Sequence, residues 1–180
     1  MGTSLGGLSA LRTVLGSLPG HFPAPIAIVQ HRHKESDHTL PCFLQQFVSL
    51  PIREVEDKDE IQPGWIYLAP ADYHLLVEAG HFSLSTDDPV SYARPSIDVL
   101  FESAAEVYGS QVVGVVMTGA NQDGSRGLSK LKANGGVAIV QDPRTADSPV
   151  MPEAAIASVS VNWILPLDQI APCLIRLCNP

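Results

Sequence analysis

The stretch Val112-Val-Gly-Val-Val-Met-Thr-Gly-Ala-Asn-Gln-Asp-Gly124 decides the fold. Its first half, Val112 to Met117, is a continuous apolar run rich in β-branched residues, the pattern of a strand covered on both faces. Its second half is a polar, glycine-bearing turn, after which Gly124 to Ala133 reads as helix. A buried strand, a turn and a helix make one α/β unit. The same succession recurs on both sides. Leu8, Leu11, Leu15 and Leu18 follow Gly6-Gly7 at helical spacing and stop before Pro19-Gly20, and Pro25 to Val29 is the next buried strand. Leu40 to Leu50 is expected as helix and Ile52 to Val55 as a short strand. Pro95 and Ser96 open a helix whose apolar face, from Ile97 through Leu100, Phe101 and Ala104 to Tyr108, ends at Gly109. Gly136 to Val140 is a strand, Met151 to Ala157 a helix and Trp163 to Leu165 a last short strand.

Between Ile61 and Ser85 the pattern changes, because Trp65 to Ala69, His74 to Val77 and Phe82 to Ser85 are divided by turn residues without a helix. All three are expected as antiparallel hairpin material. The architecture predicted is α/β, a doubly wound and mainly parallel sheet with a small antiparallel hairpin, in one domain over residues 1–180.

Composition narrows the function classes. Eleven Lys and Arg against nineteen Asp and Glu give a formal charge of -8, which opposes a general grip on nucleic acid through counterion release. No apolar run approaches the roughly 20 residues that span a bilayer, so membrane insertion is not expected. Nor does a basic, apolar leader open the chain. Cys42, Cys173 and Cys178 are odd in number and lack zinc-type spacing, which disfavours a disulfide framework and a structural metal and suits a reducing cytoplasm.

Chemistry concentrates in three turns. In Gly2-Thr-Ser-Leu-Gly-Gly7, small neighbours allow a tight strand-to-helix turn that exposes the Ser4 hydroxyl, and the free N–H groups of the helix favour an oxyanion there. The same serine is also an ordinary helix cap. In Gln30-His-Arg-His33, His31 directly follows a buried strand and so stands at the carboxyl edge, where such sheets hold reactive groups. It can act as general base for Ser4, or it is a hydrogen-bonded histidine at a strand end. A metal gathered by His31, His33, Asp37 and His38 fits no strong spacing, and a solvated loop is the better reading. In the third turn, Asp123 either caps the helix that follows or accepts from a histidine ring N–H and fixes its tautomer.

Taken together, Gly2 to Gly7, Val29-Gln-His31, Pro63-Gly-Trp-Ile-Tyr-Leu-Ala-Pro70 with His74-Leu-Leu-Val77, Arg94-Pro-Ser-Ile-Asp-Val-Leu-Phe101, Thr118 to Gly124, and Gln141-Asp-Pro143 with Met151-Pro-Glu-Ala-Ala155 resemble the catalytic domain of CheB-type protein-glutamate methylesterases. The blocks follow the order of that family and cover nearly the whole chain. What the resemblance implies is hydrolysis of γ-glutamyl methyl esters on the cytoplasmic helices of methyl-accepting chemoreceptors, and in many members deamidation of receptor glutamines. It implies neither metal nor organic cofactor. The family's nucleophile falls on Ser4, its base on His31 and its orienting acid on Asp123, and the backbone N–H groups of Leu5 and Ala120 are candidates for the oxyanion hole. The hairpin region and the turn from Arg94 to Asp98 either shape a groove for a receptor helix or serve structure alone.

Three departures matter. Ala120 stands where many members carry Met in a Thr-Gly-Met-Gly block, and Leu5 replaces a small or hydroxyl residue, which removes a side-chain donor. The resemblance is to members without a receiver domain, so phosphorylation control within the chain is not expected. Finally, only Met1 precedes Gly2, and the first central strand is expected to be missing, either because further residues precede or because the sheet is built differently. Two rival functions remain at this level: a non-catalytic module that binds a receptor or signalling partner, and a serine hydrolase of small soluble esters.

Overall fold

The computed structural model describes residues 1–36 and 39–178. In chain order the elements are β1 (Gly2–Thr3), α1 (Gly7–Gly16), β2 (Ile26–Gln30), α2 (Thr39–Gln45), β3 (Ile52–Glu54), β4 (Ile66–Leu68), β5 (His74–Glu78), β6 (His81–Ser85), α3 (Ile97–Tyr108), β7 (Val113–Val116), α4 (Ser125–Ala133), β8 (Val137–Gln141), α5 (Val150–Ser158), β9 (Trp163–Leu165) and α6 (Leu167–Cys178). Seven strands form one parallel sheet in the order β3-β4-β2-β1-β7-β8-β9, and β5 pairs antiparallel with β6 beside it. The doubly wound α/β architecture with a small hairpin is therefore present.

Alternate residues of each inner strand feed two cores. Ile28, Val115 and Ile139 face one side, against Leu11, Val14 and Leu15 of α1 and Ile170, Cys173 and Leu174 of α6. Val29, Val116 and Val140 face the other, against Ile97, Leu100 and Phe101 of α3, Leu128 of α4 and Met151 and Ala155 of α5. Each fully buried Leu or Ile contributes roughly 1.5 to 3 kcal/mol of apolar transfer. Helices on both faces explain why these strands read as unbroken apolar runs. No helix among the described residues is long and apolar enough to cross a membrane.

Particular elements depart from the sequence reading. Trp65 to Ala69 is not hairpin material: β4 lies in the parallel sheet between β3 and β2. Its Ile66, Tyr67 and Leu68 are all buried, and a strand covered on both faces belongs inside a sheet. The helix expected from Leu40 to Leu50 ends at Gln45. There the Gln45 amide donates to the carbonyls of Val48 and Leu50 and accepts from Ile52 N–H, replacing helical bonds with side-chain ones. No element was expected beyond Leu165, yet α6 forms with Pro172 inside it. That proline hid an apolar face made of Ile170, Ala171, Cys173 and Leu174.

The first central strand is not missing. Gly2 and Thr3 fill that position, bonded to β2 on one side and β7 on the other. Val29 N–H donates to Met1 O at 2.9 Å and Met117 N–H to Gly2 O at 3.0 Å. Beneath Met1, towards the amino ends of β2 and β7, lies an apolar cavity of about 390 Å³ bounded by Ile26, Val113, Val115, Phe101 and Leu174.

From β1 the chain first winds towards β2, β4 and β3, then crosses back to β7, β8 and β9. β1 is thus the point where the winding reverses. In such sheets the carboxyl ends of the strands at the reversal splay the following loops apart and leave a crevice.

Candidate active site

Strand register alone sets the site. Thr3 is the partner of Gln30, so Ser4 and His31 are the next residues to leave neighbouring parallel strands. His31 N–H donates to Thr3 O at 3.0 Å, while Ser4 N–H donates to Thr118 O at 3.0 Å on the other side. The Thr3 hydroxyl donates to the same Thr118 carbonyl at 2.9 Å. The turn from Ser4 into α1 requires Gly6, which has φ +78° and whose added Cβ would fall 2.4 Å from the Asp147 carboxylate. Gly119 is needed for a different reason. A Cβ there would lie 2.5 Å from Met151 Cε and 3.0 Å from Ser4 Cβ.

Asp123 is fully buried and wholly engaged. Its Oδ1 accepts from Ser96 Oγ at 2.8 Å, Asp98 N–H at 3.0 Å and Gly124 N–H at 3.0 Å. Its Oδ2 accepts from Ile97 N–H at 2.6 Å and meets His31 Nε2 at 2.7 Å. Burial pushes this carboxyl up, but the hydrogen bonds from His31, Asp98 N–H and Ile97 N–H outweigh it and hold the group below its ordinary value. An ionised Asp123 only accepts, so His31 carries its ring proton on Nε2 and its lone pair on Nδ1. The helix that Asp123 caps is α3, through Ile97 and Asp98 N–H, whereas α4 takes Gly124 as its cap residue without a side-chain cap bond. The cap reading from sequence therefore applies to a helix distant in the chain. Nearby, burial raises the Asp98 carboxyl although Gly127 N–H donates to it.

Sequence reasoning did not single out Asn121. Its Nδ2 lies 3.2 Å from His31 Nδ1, and its Oδ1 accepts from Asp123 N–H at 3.1 Å. Gln30 was also passed over. Its amide donates to the carbonyls of Ser4 at 3.0 Å and His31 at 2.8 Å, stitching the two loops together. Thr118 Oγ1 donates to Leu5 O at 2.8 Å and accepts from Ser148 N–H at 2.9 Å, which clamps the third turn against the first. Polar residues inside turns read as solvated when only sequence is available, which is why these escaped notice.

The structure brings His31 and Asp123 into direct contact and sets Ser4 and His31 in the wall of one open cleft of about 690 Å³. Leu5, Leu8, Arg12 and Phe43 line the same cleft. Ser4 Oγ makes no hydrogen bond to any described residue, and the N–H groups of Leu5 and Ala120 likewise donate to none. The arrangement offers a half-buried hydroxyl that lines the cleft, an imidazole with its lone pair on the nitrogen away from the acid, and free backbone donors nearby. Those are the parts of nucleophilic acyl transfer. The apolar cavity beneath Met1 carries no serine, histidine or carboxylate in its walls. Of the metal reading, Asp37 and His38 lie outside the described residues, while His31 is committed to Asp123 and Asn121. Arg94 spends its guanidinium on Asp72 and on the carbonyls of Thr86 and Asp87, bracing its own loop.

Residues 1–174 match the family model described as CheB methylesterase. A putative protein-glutamate methylesterase/protein-glutamine glutaminase of Leptospira interrogans is 48% identical over 178 residues, covering 98% of this chain and 92% of that protein. The protein-glutamate methylesterase/protein-glutamine glutaminase of Thermotoga maritima is 35% identical over 98% of this chain, which spans 53% of that protein's length. The crystal structure of the Thermotoga maritima CheB methylesterase catalytic domain superposes with a TM-score of 0.95 at 36% identity, covering 98% of this chain and 95% of that one.

Proposed function

The chain belongs to the CheB methylesterase family, and from that premise we propose that it hydrolyses γ-glutamyl methyl esters on chemoreceptor helices in the cytoplasm through Ser4, His31 and Asp123. Carrying this reading is the 2.7 Å bond from His31 Nε2 to an ionised, fully buried Asp123 beside a half-buried, cleft-lining serine at the carboxyl edge of the sheet. His31 Nδ1 takes the Ser4 proton as Oγ adds to the ester carbonyl. The N–H groups of Leu5 and Ala120 receive the oxyanion. Collapse expels methanol, which leaves with the proton returned by His31. Water, deprotonated by the same nitrogen, then cleaves the glutamyl-Ser4 ester and frees the carboxylate. Glutamine would enter the same acyl intermediate with ammonia as leaving group.

A protein substrate is favoured over a small soluble ester by the cleft itself. Leu5, Leu8 and Phe43 are exposed apolar side chains around the serine, with Arg12 among them, and a cluster of that kind suits a helix bearing carboxylates. The test is methanol release from a methylated receptor fragment. Release by the intact protein and none by folded Ser4→Ala is the expected result; equal release by both would overturn the covalent mechanism.

A further inference from the structure

We propose that Asn121 is a positioning residue that holds His31 in the tautomer whose Nδ1 lone pair is directed out of the ring towards the cleft side, and that it yields this nitrogen to Ser4 when an ester binds. The inference rests on the reading of His31 as the base. Asp123 N–H can only donate, so its 3.1 Å partner on Asn121 is the oxygen, and the amide nitrogen is the atom 3.2 Å from His31 Nδ1. An amide N–H in turn requires Nδ1 to accept. Two neighbours therefore impose one tautomer independently: Asp123 takes the proton of Nε2, and Asn121 occupies the lone pair of Nδ1.

This has two consequences. A donor on Nδ1 bonds to the neutral imidazole and finds no acceptor in the imidazolium, so removing it should favour protonation of the ring. It also occupies the lone pair that Ser4 must use, so an exchange of amide for hydroxyl at Nδ1 accompanies substrate entry. The bond from Asp123 N–H to Asn121 Oδ1 spans two residues and folds the loop as an Asx turn, which anchors the amide while its nitrogen swings. Other charged groups around the ring are Asp123 in contact, Asp98 behind it at the start of α3, Asp147 beside Gly6, and Arg12 of α1 across the cleft. The substitutions below leave all four in place.

The experiment compares pH profiles of kcat/KM for the methylated fragment in the intact protein, Asn121→Ala and Asn121→Asp, with the His31 ring titrated by NMR in the same proteins without substrate. Asn121→Ala should move both the acid limb and the ring titration up by roughly half to one pH unit, the worth of one hydrogen bond to the neutral ring. Asn121→Asp keeps the Oδ1 acceptor for Asp123 N–H but sets a carboxylate against Nδ1, and should move both by about one unit or more. Rates lowered equally at every pH with the limb unmoved would reduce Asn121 to a loop brace and overturn the proposal, as would wild-type profiles in both variants. If Asn121→Ala fails to fold, Asn121→Asp still decides. Failure of the underlying reading looks different: His31→Ala would then keep its activity.

Discussion

In the proposed mechanism, removing the Ser4 hydroxyl and removing the His31 ring delete two ends of one proton transfer. Ser4→Ala and His31→Ala should each lower turnover by roughly 10⁴-fold or more, and the double variant should add little to the worse single change, because the residues act as a unit. Binding of the receptor fragment should stay near wild type. A second expectation concerns pH. Imidazolium cannot accept a proton, so turnover should fall as the pH drops from about 8 to 5, the span in which histidine side chains change charge. A flat rate across that range would remove His31 from the role of base. Asp123→Asn should also cost orders of magnitude, for a reason the contacts make specific. An amide in place of the carboxylate turns NH₂ towards donors on one side, against either His31 Nε2–H and Ile97 N–H or the three donors on Oδ1.

At the scale of elements, that same substitution strikes the start of α3, because Asp123 caps it from another segment. At least two buried N–H or O–H donors lose their acceptor, a loss of about 2 kcal/mol or more, larger than the roughly 1 kcal/mol of an ordinary helix cap. The pH dependence of stability follows from the lowered Asp123 carboxyl. Its folded value lies below the unfolded one, so its contribution is full above the unfolded value near 3.9 and is lost as pH falls through the folded one. Asp123→Asn should therefore show lower stability at neutral pH and a flatter loss below pH 4, measured by denaturant unfolding; an unchanged acid slope would contradict the linkage. Asp98, raised by burial, works in the opposite direction and opposes this slope. Legibility in the sequence divides along the same line. Ser4, His31 and Asp123 could be named because each sits in a turn beside an apolar strand, and strand ends are visible as hydropathy breaks. Asn121, Gln30 and Ser96 could not, because their importance lies in what they face across the sheet. The helix α6 escaped because Pro172 mimics a stop, and β4 was misassigned because a three-residue strand carries too little pattern to reveal its partners.

On the scale of the whole molecule, the sheet's reversal at β1 sets the Ser4 loop between the two halves, where His31 of one meets Asp123 of the other, with α1 rising from one side of the cleft and α2 flanking it. The formal charge of -8 should repel an acidic receptor helix at long range. Productive docking then depends on the local exception, the cleft wall of Leu5, Leu8, Phe43 and Arg12, where the Arg12 guanidinium also lies 5.3 Å from the Phe47 ring centroid. These side chains are exposed or line an open groove, so truncating them should leave the fold nearly unchanged, within about 0.5 kcal/mol. Leu8→Ala, Phe43→Ala and Arg12→Glu should each raise KM for the methylated receptor fragment, by roughly 5-fold or more if each removes about 1 kcal/mol of contact. The rate on a small methyl ester, which on the proposed mechanism needs only Ser4, His31, Asp123 and the oxyanion donors, should barely change. Arg12→Glu should in addition reverse the salt response, because screening then relieves repulsion at the docking wall instead of weakening attraction. Measuring kcat and KM for both substrates at low and high ionic strength checks all of this. If the three variants slow the small ester as much as the receptor fragment, the wall supports the catalytic loops rather than the substrate helix, and the protein-specific reading of the cleft fails.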